Sequence, residues 1–72
     1  MNEKQILEFN AEPWYLRRMS EKELLDTAAL AQAMLNGASP TFRNEILLLI
    51  QKCENLAAEL KQERLKETLW FH

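Results

Sequence analysis

The segment 36–40, Asn-Gly-Ala-Ser-Pro, interrupts two long stretches of helix-favouring residues and is typical of a tight turn between helices. Gly37 suits the left-handed backbone position that often follows the last residue of a helix. Ser39 followed by Pro40 suits an N-cap followed by the first residue of the next helix. The segment therefore predicts that one helix ends near residue 36 and another begins at residue 40.

A second helix start lies upstream, at Ser20. Glu23 stands three residues later, which is the spacing of a capping box, in which each side chain binds a free backbone amide of the first turn. With the turn described above, this predicts helix B over residues 20–36. Helix C is predicted over residues 40–69, since no glycine or proline follows Pro40.

The two helices differ in length, at about 24 Å for helix B and about 45 Å for helix C. Antiparallel pairing would place residue 20 opposite residue 56, so we expect residues 1–19 to form a clamp that covers residues 57–71. Within this clamp, residues 3–9 are predicted to be a short helix. Pro13 disfavours its continuation, so residues 14–19 form either a second helical piece or an irregular segment, with Trp14 packing on residues 60–69.

Helix C carries two stripes at alternating intervals of three and four residues. The first is apolar and is expected to face helix B: Phe42, Ile46, Leu49, Cys53, Leu56 and Leu60. The second contains no charge although helix C has ten charged residues: Asn44, Leu47, Gln51, Asn55, Ala58, Gln62, Leu65 and Leu69. Such a stripe is typical of a second packing seam.

The segment 27–42, which surrounds the turn, has no charged residue, and four alanines before the turn allow close approach of another helix: Ala28, Ala29, Ala31 and Ala33. A monomer would leave much of this apolar surface exposed, which usually marks an interface. The residues predicted to mediate self-association or partner binding are Leu30, Ala31, Met34, Leu47, Leu48, Gln51, Ala58 and Leu65.

Composition limits the fold and the chemistry. The 72 residues are 47% hydrophobic and 28% charged with one glycine, which favours a single all-α domain: a long helical hairpin with a short N-terminal helical clamp, self-associating into a four-helix-type bundle. The only cysteine, Cys53, lies on the helix B stripe, and the only histidine, His72, is the last residue. We therefore predict no catalytic residues, no metal site and no cofactor, and we expect no enzymatic activity.

Nucleic-acid binding has two possible signals. Helices B and C resemble a helix-turn-helix only superficially, because helix C offers the apolar run Ile46–Ile50 where polar and basic side chains would be required. The other signal is an aromatic and basic segment that could stack on bases and pair with phosphates: Trp14, Tyr15, Arg17 and Arg18. The net charge of −2 gives no general attraction to nucleic acid, and core packing of the aromatic rings is the preferred interpretation.

These observations favour a non-catalytic protein–protein interaction module: a small adaptor, inhibitor or regulator, acting as a homodimer with an unidentified protein partner. Small accessory proteins of bacteria and phages are often of this kind. The absence of a signal-like segment at residues 1–10, together with the lone thiol, predicts a cytoplasmic location, and no apolar run is long enough to predict membrane insertion. The alternatives are a nucleic-acid-associated regulator using residues 14–18 and a purely structural oligomer.

Overall fold

The computed structural model of the chain describes the backbone of residues 2–12 and 14–70 and the side chains of residues 2–12 and 14–67. These residues form helices and no strand, which confirms the all-α prediction. The elements, in chain order, are α1 (Glu3–Ala11), α2 (Trp14–Arg17), α3 (Glu21–Ala33), a short 3-10 turn (Leu35–Gly37) and α4 (Pro40–Trp70).

The starts of α3 and α4 follow the predicted caps. The Ser20 hydroxyl accepts a hydrogen bond from the Glu23 amide at 3.2 Å, and the Ser39 hydroxyl accepts one from the Phe42 amide at 3.3 Å. The Glu23 carboxylate accepts a hydrogen bond from the Ser20 hydroxyl at 3.2 Å, in place of the predicted contact with the Ser20 backbone. Local side-chain chemistry therefore sets where both helices begin.

The end of α3 differs from the prediction. The helix stops at Ala33 and tightens into the 3-10 turn, where the Met34 amide donates to the Ala31 carbonyl at 3.1 Å and the Gly37 amide donates to the Met34 carbonyl at 3.4 Å. No glycine or other residue in the described chain has a positive φ. The prediction that Gly37 adopts the left-handed conformation is therefore wrong. Hydrogen bonds between residues three apart, as in a 3-10 helix, end α3 without a left-handed residue.

The core lies where α3 and the N-terminal helices meet the first half of α4. Near the start of α3, Glu21 forms an ion pair with Arg64 at 3.5 Å, whereas the end of α3 leads directly into the turn before α4. The two helices therefore run side by side in opposite directions. The buried apolar residues are Ile6, Leu16, Leu24, Ala28, Ala31, Ile46, Leu49, Cys53 and Ala57.

The N-terminal segment lies elsewhere than predicted. The Asn10 side-chain amide donates to the Glu45 carbonyl and to the Glu45 carboxylate, each at 2.9 Å, and the Lys52 ammonium donates to the Asn10 carbonyl at 3.0 Å. Helix α1 therefore lies beside the first half of α4, and the prediction that this part of the clamp covers residues 57–71 is wrong. In α2, Leu16 and Arg17 do lie near residues 59–63 of α4, with which they line a cleft. The physical reason is burial: Ile6 and Leu16 join the core that α3 and α4 already form, which removes more apolar surface from water than packing on a single helix would.

This arrangement leaves the second half of α4 largely uncovered. The molecule measures 50 × 22 × 15 Å, and its long axis matches the roughly 46 Å length of a 31-residue helix. Every described side chain from Ala58 to Glu67 is exposed. None of the described helices combines the length and hydropathy that crossing a lipid bilayer requires.

Candidate interaction surfaces

The predicted association residues do not all lie on the surface. Six of the eight are exposed: Leu30, Leu47, Leu48, Gln51, Ala58 and Leu65. Met34 is half-buried against the core, and Ala31 is 0% exposed. The assignment of Ala31 to an interaction surface is corrected here, because this residue faces α4 within the core of the same chain.

The uncharged stripe of α4 lies on the side of the helix that faces away from the core. At 100° per residue, Gln51 and Ala58 are roughly opposite Ile46 and Cys53, both of which are fully buried. Each stripe residue from Asn44 to Leu65 is exposed. The Leu69 side chain lies outside the described residues. We name this surface the outer face of α4, defined as Asn44, Leu47, Leu48, Gln51, Asn55, Ala58, Gln62 and Leu65.

Leu25 adjoins the outer face and was not singled out from the sequence. It is half-exposed and lines a shallow groove together with Glu54, Ala58 and Lys61. The available signal was its position, because Leu24 is buried and the next residue on a helix points about 100° away from it. This leucine therefore widens the apolar surface on the α3 side of α4.

The aromatic and basic segment forms its own small cluster. The Trp14 and Tyr15 rings stack with centroids 3.9 Å apart, and the Arg18 guanidinium lies 5.0 Å from the Trp14 ring centroid. The Tyr15 ring also meets the Phe9 ring edge-on at 6.0 Å. Trp14 is 46% exposed and does not belong to the buried core, so the prediction that the aromatic rings pack in the core is wrong for Trp14.

A cleft of about 320 Å³ lies between α2, α3 and the middle of α4. Its floor is apolar and its rim carries two carboxylates and one guanidinium. The lining residues are Leu16, Arg17, Leu24, Leu56, Glu59, Leu60 and Glu63. The lining contains no serine, cysteine, threonine, lysine or histidine, and the cleft is a depression with an apolar floor and a mixed-charge rim.

Cys53 lies in the core, as its position on the apolar stripe that was expected to face helix B predicts. It is a free thiol with no exposed surface. Burial, and to a smaller extent the neighbouring Glu54 carboxylate, raise the pKa of the Cys53 thiol to about 11. A thiol in this environment is protonated near neutral pH and is inaccessible to a substrate.

Metal-binding side chains do not cluster in the part of the chain that the structure describes, where no group of three or more histidine, cysteine, aspartate or glutamate residues could hold an ion. His72 lies outside that part. The outer face of α4, the aromatic cluster and the mixed-charge cleft are three exposed features of the described chain on which a functional hypothesis can be built.

Comparison with known proteins gave no match: no protein-family model, no curated protein sequence and no solved structure is detectably similar to this chain.

Proposed function

We propose that this chain is a non-catalytic protein–protein interaction module that acts as a homodimer, in the manner of a small cytoplasmic adaptor, inhibitor or regulator. In this proposal the helical hairpin formed by α3 and α4 pairs with a second hairpin to give a four-helix-type bundle. The observation that carries the proposal is the outer face of α4, which is uncharged over its length and is exposed in the single chain.

Two properties of that face support association. Leu47, Leu48 and Leu65 each keep about half of their surface in contact with water, and large apolar side chains exposed on one uncharged face of a small protein favour an interface there. The polar residues between them carry amides, which can pair with one another across a helix interface without the desolvation cost of a charge. The face is therefore suited to contact another helix.

The buried thiol and the lining of the cleft support a non-catalytic role. Catalysis needs convergent reactive groups in an accessible site. The described residues place their one thiol inside the core and line the cleft between α2, α3 and α4 with leucine, glutamate and arginine. Binding through surface shape is the activity that these residues are equipped for.

Sedimentation equilibrium tests the dimer. We expect a mass of twice the 8.5 kDa chain at micromolar concentration, falling toward the monomer on dilution. Leu65→Glu should weaken the dimer strongly, because it places a charge in the interface. Leu7→Glu is the matched control, since Leu7 on α1 is 48% exposed and Leu65 is 51% exposed. A monomer at every concentration, or equal effects of the two variants, would contradict this part of the proposal.

A second candidate function is nucleic-acid binding through residues 14–18. It is favoured by one observation, the half-exposed Trp14 ring with Arg18 beside it and Arg17 exposed on the same short segment. If this function is correct, the chain should be retained on single-stranded DNA in a salt-sensitive way, and Trp14→Ala and Arg18→Ala should each reduce retention. Retention that is unchanged in both variants would exclude this segment as the binding site.

A further inference from the structure

We infer that the second copy binds the outer face of α4 in an antiparallel orientation, with the twofold axis beside Leu56 and Ala57. The inference rests on the proposed function, because it takes the homodimer from there and specifies its orientation and register. It is carried by charge complementarity along the two edges of the outer face.

The centre of the outer face follows a heptad repeat. Its positions alternate at intervals of four and three residues, as the seam residues of a coiled coil do. The seam residues are all exposed and uncharged: Asn44, Leu48, Gln51, Asn55, Ala58, Gln62 and Leu65. Leu47 lies at the edge of this row.

An antiparallel pair gives these seam residues matched partners. In a twofold interface, if one residue contacts a second residue of the partner, the reverse contact also forms. With the axis beside residues 56 and 57, large apolar side chains face each other near the ends, amides face amides further in, and a small residue faces an amide at the centre. The facing pairs are Leu48 with the partner's Leu65, Gln51 with the partner's Gln62, and Asn55 with the partner's Ala58.

One edge of the seam carries charges that alternate in sign every seven residues: Glu45, Lys52, Glu59 and Lys66. Glu59 and Lys66 are exposed, whereas Glu45 and Lys52 are half-buried and each also bonds to the uncharged Asn10 of α1 in the same chain. In an antiparallel pair with this axis, Glu45 lies opposite the partner's Lys66, and Lys52 lies opposite the partner's Glu59. By symmetry, all four contacts along this edge join opposite charges. A shift of one heptad in either direction would bring like charges together, so the alternation selects a single register.

The other edge, beside α3, gives the same result independently. Its charged residues are Glu54 and Lys61, both exposed. In the antiparallel register, Glu54 lies opposite the partner's Lys61, and the twofold axis generates this contact twice. In a parallel coiled coil the two edges face each other, so Glu54 would meet the partner's Glu59 and Lys61 would meet the partner's Lys66. Charge repulsion therefore opposes the parallel orientation.

Disulfide trapping distinguishes the two orientations. We would prepare the single variants Gln51→Cys and Gln62→Cys and oxidise each alone and as an equimolar mixture. In the antiparallel dimer, residue 51 lies about 16 Å along the axis from its own copy but directly opposite residue 62, so a cross-linked dimer should form mainly in the mixture. The wild-type chain is the control, because Cys53 is buried and should not cross-link.

Each outcome of this trapping experiment has one meaning. Cross-links in the single-variant samples would show a parallel dimer and overturn the inference while leaving the homodimer intact. A dimer in sedimentation that gives no cross-link in any sample would show that another surface or register forms the interface. A monomer in sedimentation would overturn both the inference and the homodimer from which it starts.

Charge reversal tests the register without cysteine chemistry. Glu54→Lys and Lys61→Glu should each raise the dimer dissociation constant about tenfold, because each creates two repulsive contacts per dimer. The double variant Glu54→Lys/Lys61→Glu should return the constant to near the wild-type value, since the facing charges are again opposite. Both sites are exposed, and circular dichroism would confirm that each variant keeps its helices. Failure of the double variant to recover dimerisation would overturn the proposed register.

Discussion

The two sides of α4, the buried inner side and the exposed outer face, both contain leucine but differ in burial and in the residues around it. On the inner side Ile46, Leu49 and Cys53 are fully buried against α3 and the N-terminal helices. On the outer side Leu48 stands one residue away from Leu49, yet it is 41% exposed and is followed by amides instead of further large apolar residues. The inner side therefore stabilises the single chain, whereas the outer side forms a contact between chains in the dimer proposed above. In that dimer, Glu54 and Lys61 on the edge of the outer side specify which contact forms, whereas Arg64 lies on the inner side and pairs with Glu21 of α3.

The largest effect is expected on the inner side, from Leu49→Ala. Removing a fully buried leucine side chain should lower the free energy of unfolding by about 2–5 kcal/mol, through lost burial and the cavity that remains. For a domain of this size, such a loss leaves little stability. Urea unfolding followed by circular dichroism measures it, and the loss should be the same at every protein concentration at which the chain is monomeric.

Leu48→Ala is the matched control, since it makes the same chemical change on the outer side. We expect it to cost the monomer about 1 kcal/mol or less, because much of the side chain is already in water. Its main effect should be to weaken dimerisation. Equal losses of monomer stability for the two variants would break the distinction between the inner and outer sides.

The Cys53 thiol gives the inner side a pH dependence. The folded state raises the pKa of Cys53 from 9.0 to about 11, so the thiol is protonated in both folded and unfolded chains below pH 9. Between these values the unfolded chain loses the proton first, and its ionisation favours unfolding. Stability should therefore fall as pH rises through this range, by about 2–3 kcal/mol in total from this group.

Comparison with Cys53→Ala isolates that contribution. Urea unfolding of both proteins below pH 9 and near pH 11 should show a steeper loss for the wild type, since the two proteins differ only in the thiol. The alanine variant should be less stable than the wild type at the lower pH, because buried volume is removed. Parallel losses in the two proteins would mean that water reaches the thiol in the folded chain.

Asn10→Ala tests how α1 is held at the edge of the inner side. The substitution removes the two hydrogen bonds to Glu45, and we expect a loss of about 1–2 kcal/mol. The effect is moderated because the Asn10 Oδ1 atom is buried without a hydrogen-bond partner, so one unsatisfied group disappears as well. Faster amide hydrogen exchange across α1 should accompany the loss.

The control for Asn10 is Asn44→Ala, which removes an exposed amide adjacent to Glu45 on α4. It should leave α1 exchange and monomer stability nearly unchanged. If Asn10→Ala also left exchange in α1 unchanged, the apolar contact of Ile6 would be sufficient to hold the helix.

Features set by neighbouring residues were predictable from the sequence, whereas those set by tertiary packing were not. Ser20 and Ser39 cap their helices through bonds to amides within three residues, and the three-four spacing placed Cys53 in the core. The position of α1 depends instead on where Ile6 can bury the most surface, and no local pattern contains that information. For the same reason Ala31 was assigned to the outside, although the rotation of α3 about its axis turns it inward and leaves Leu25 exposed.

Gly37 gives the smallest expected effect and tests the turn that connects α3 to α4, on which the packing of the inner side depends. Its φ is not positive, and a Cβ atom added to it would meet no atom within 4 Å. Gly37→Ala should therefore be neutral or stabilise the fold by up to about 1 kcal/mol, because alanine restricts the unfolded chain more than glycine does. Thermal unfolding of the two proteins at a concentration that keeps both monomeric measures the change. A clear loss of stability would mean that residue 37 adopts a left-handed conformation in solution. The chain would then leave the turn in another direction, and α3 and α4 would pack differently. Leu49 would no longer be the buried residue, so the contrast with Leu48 would not hold.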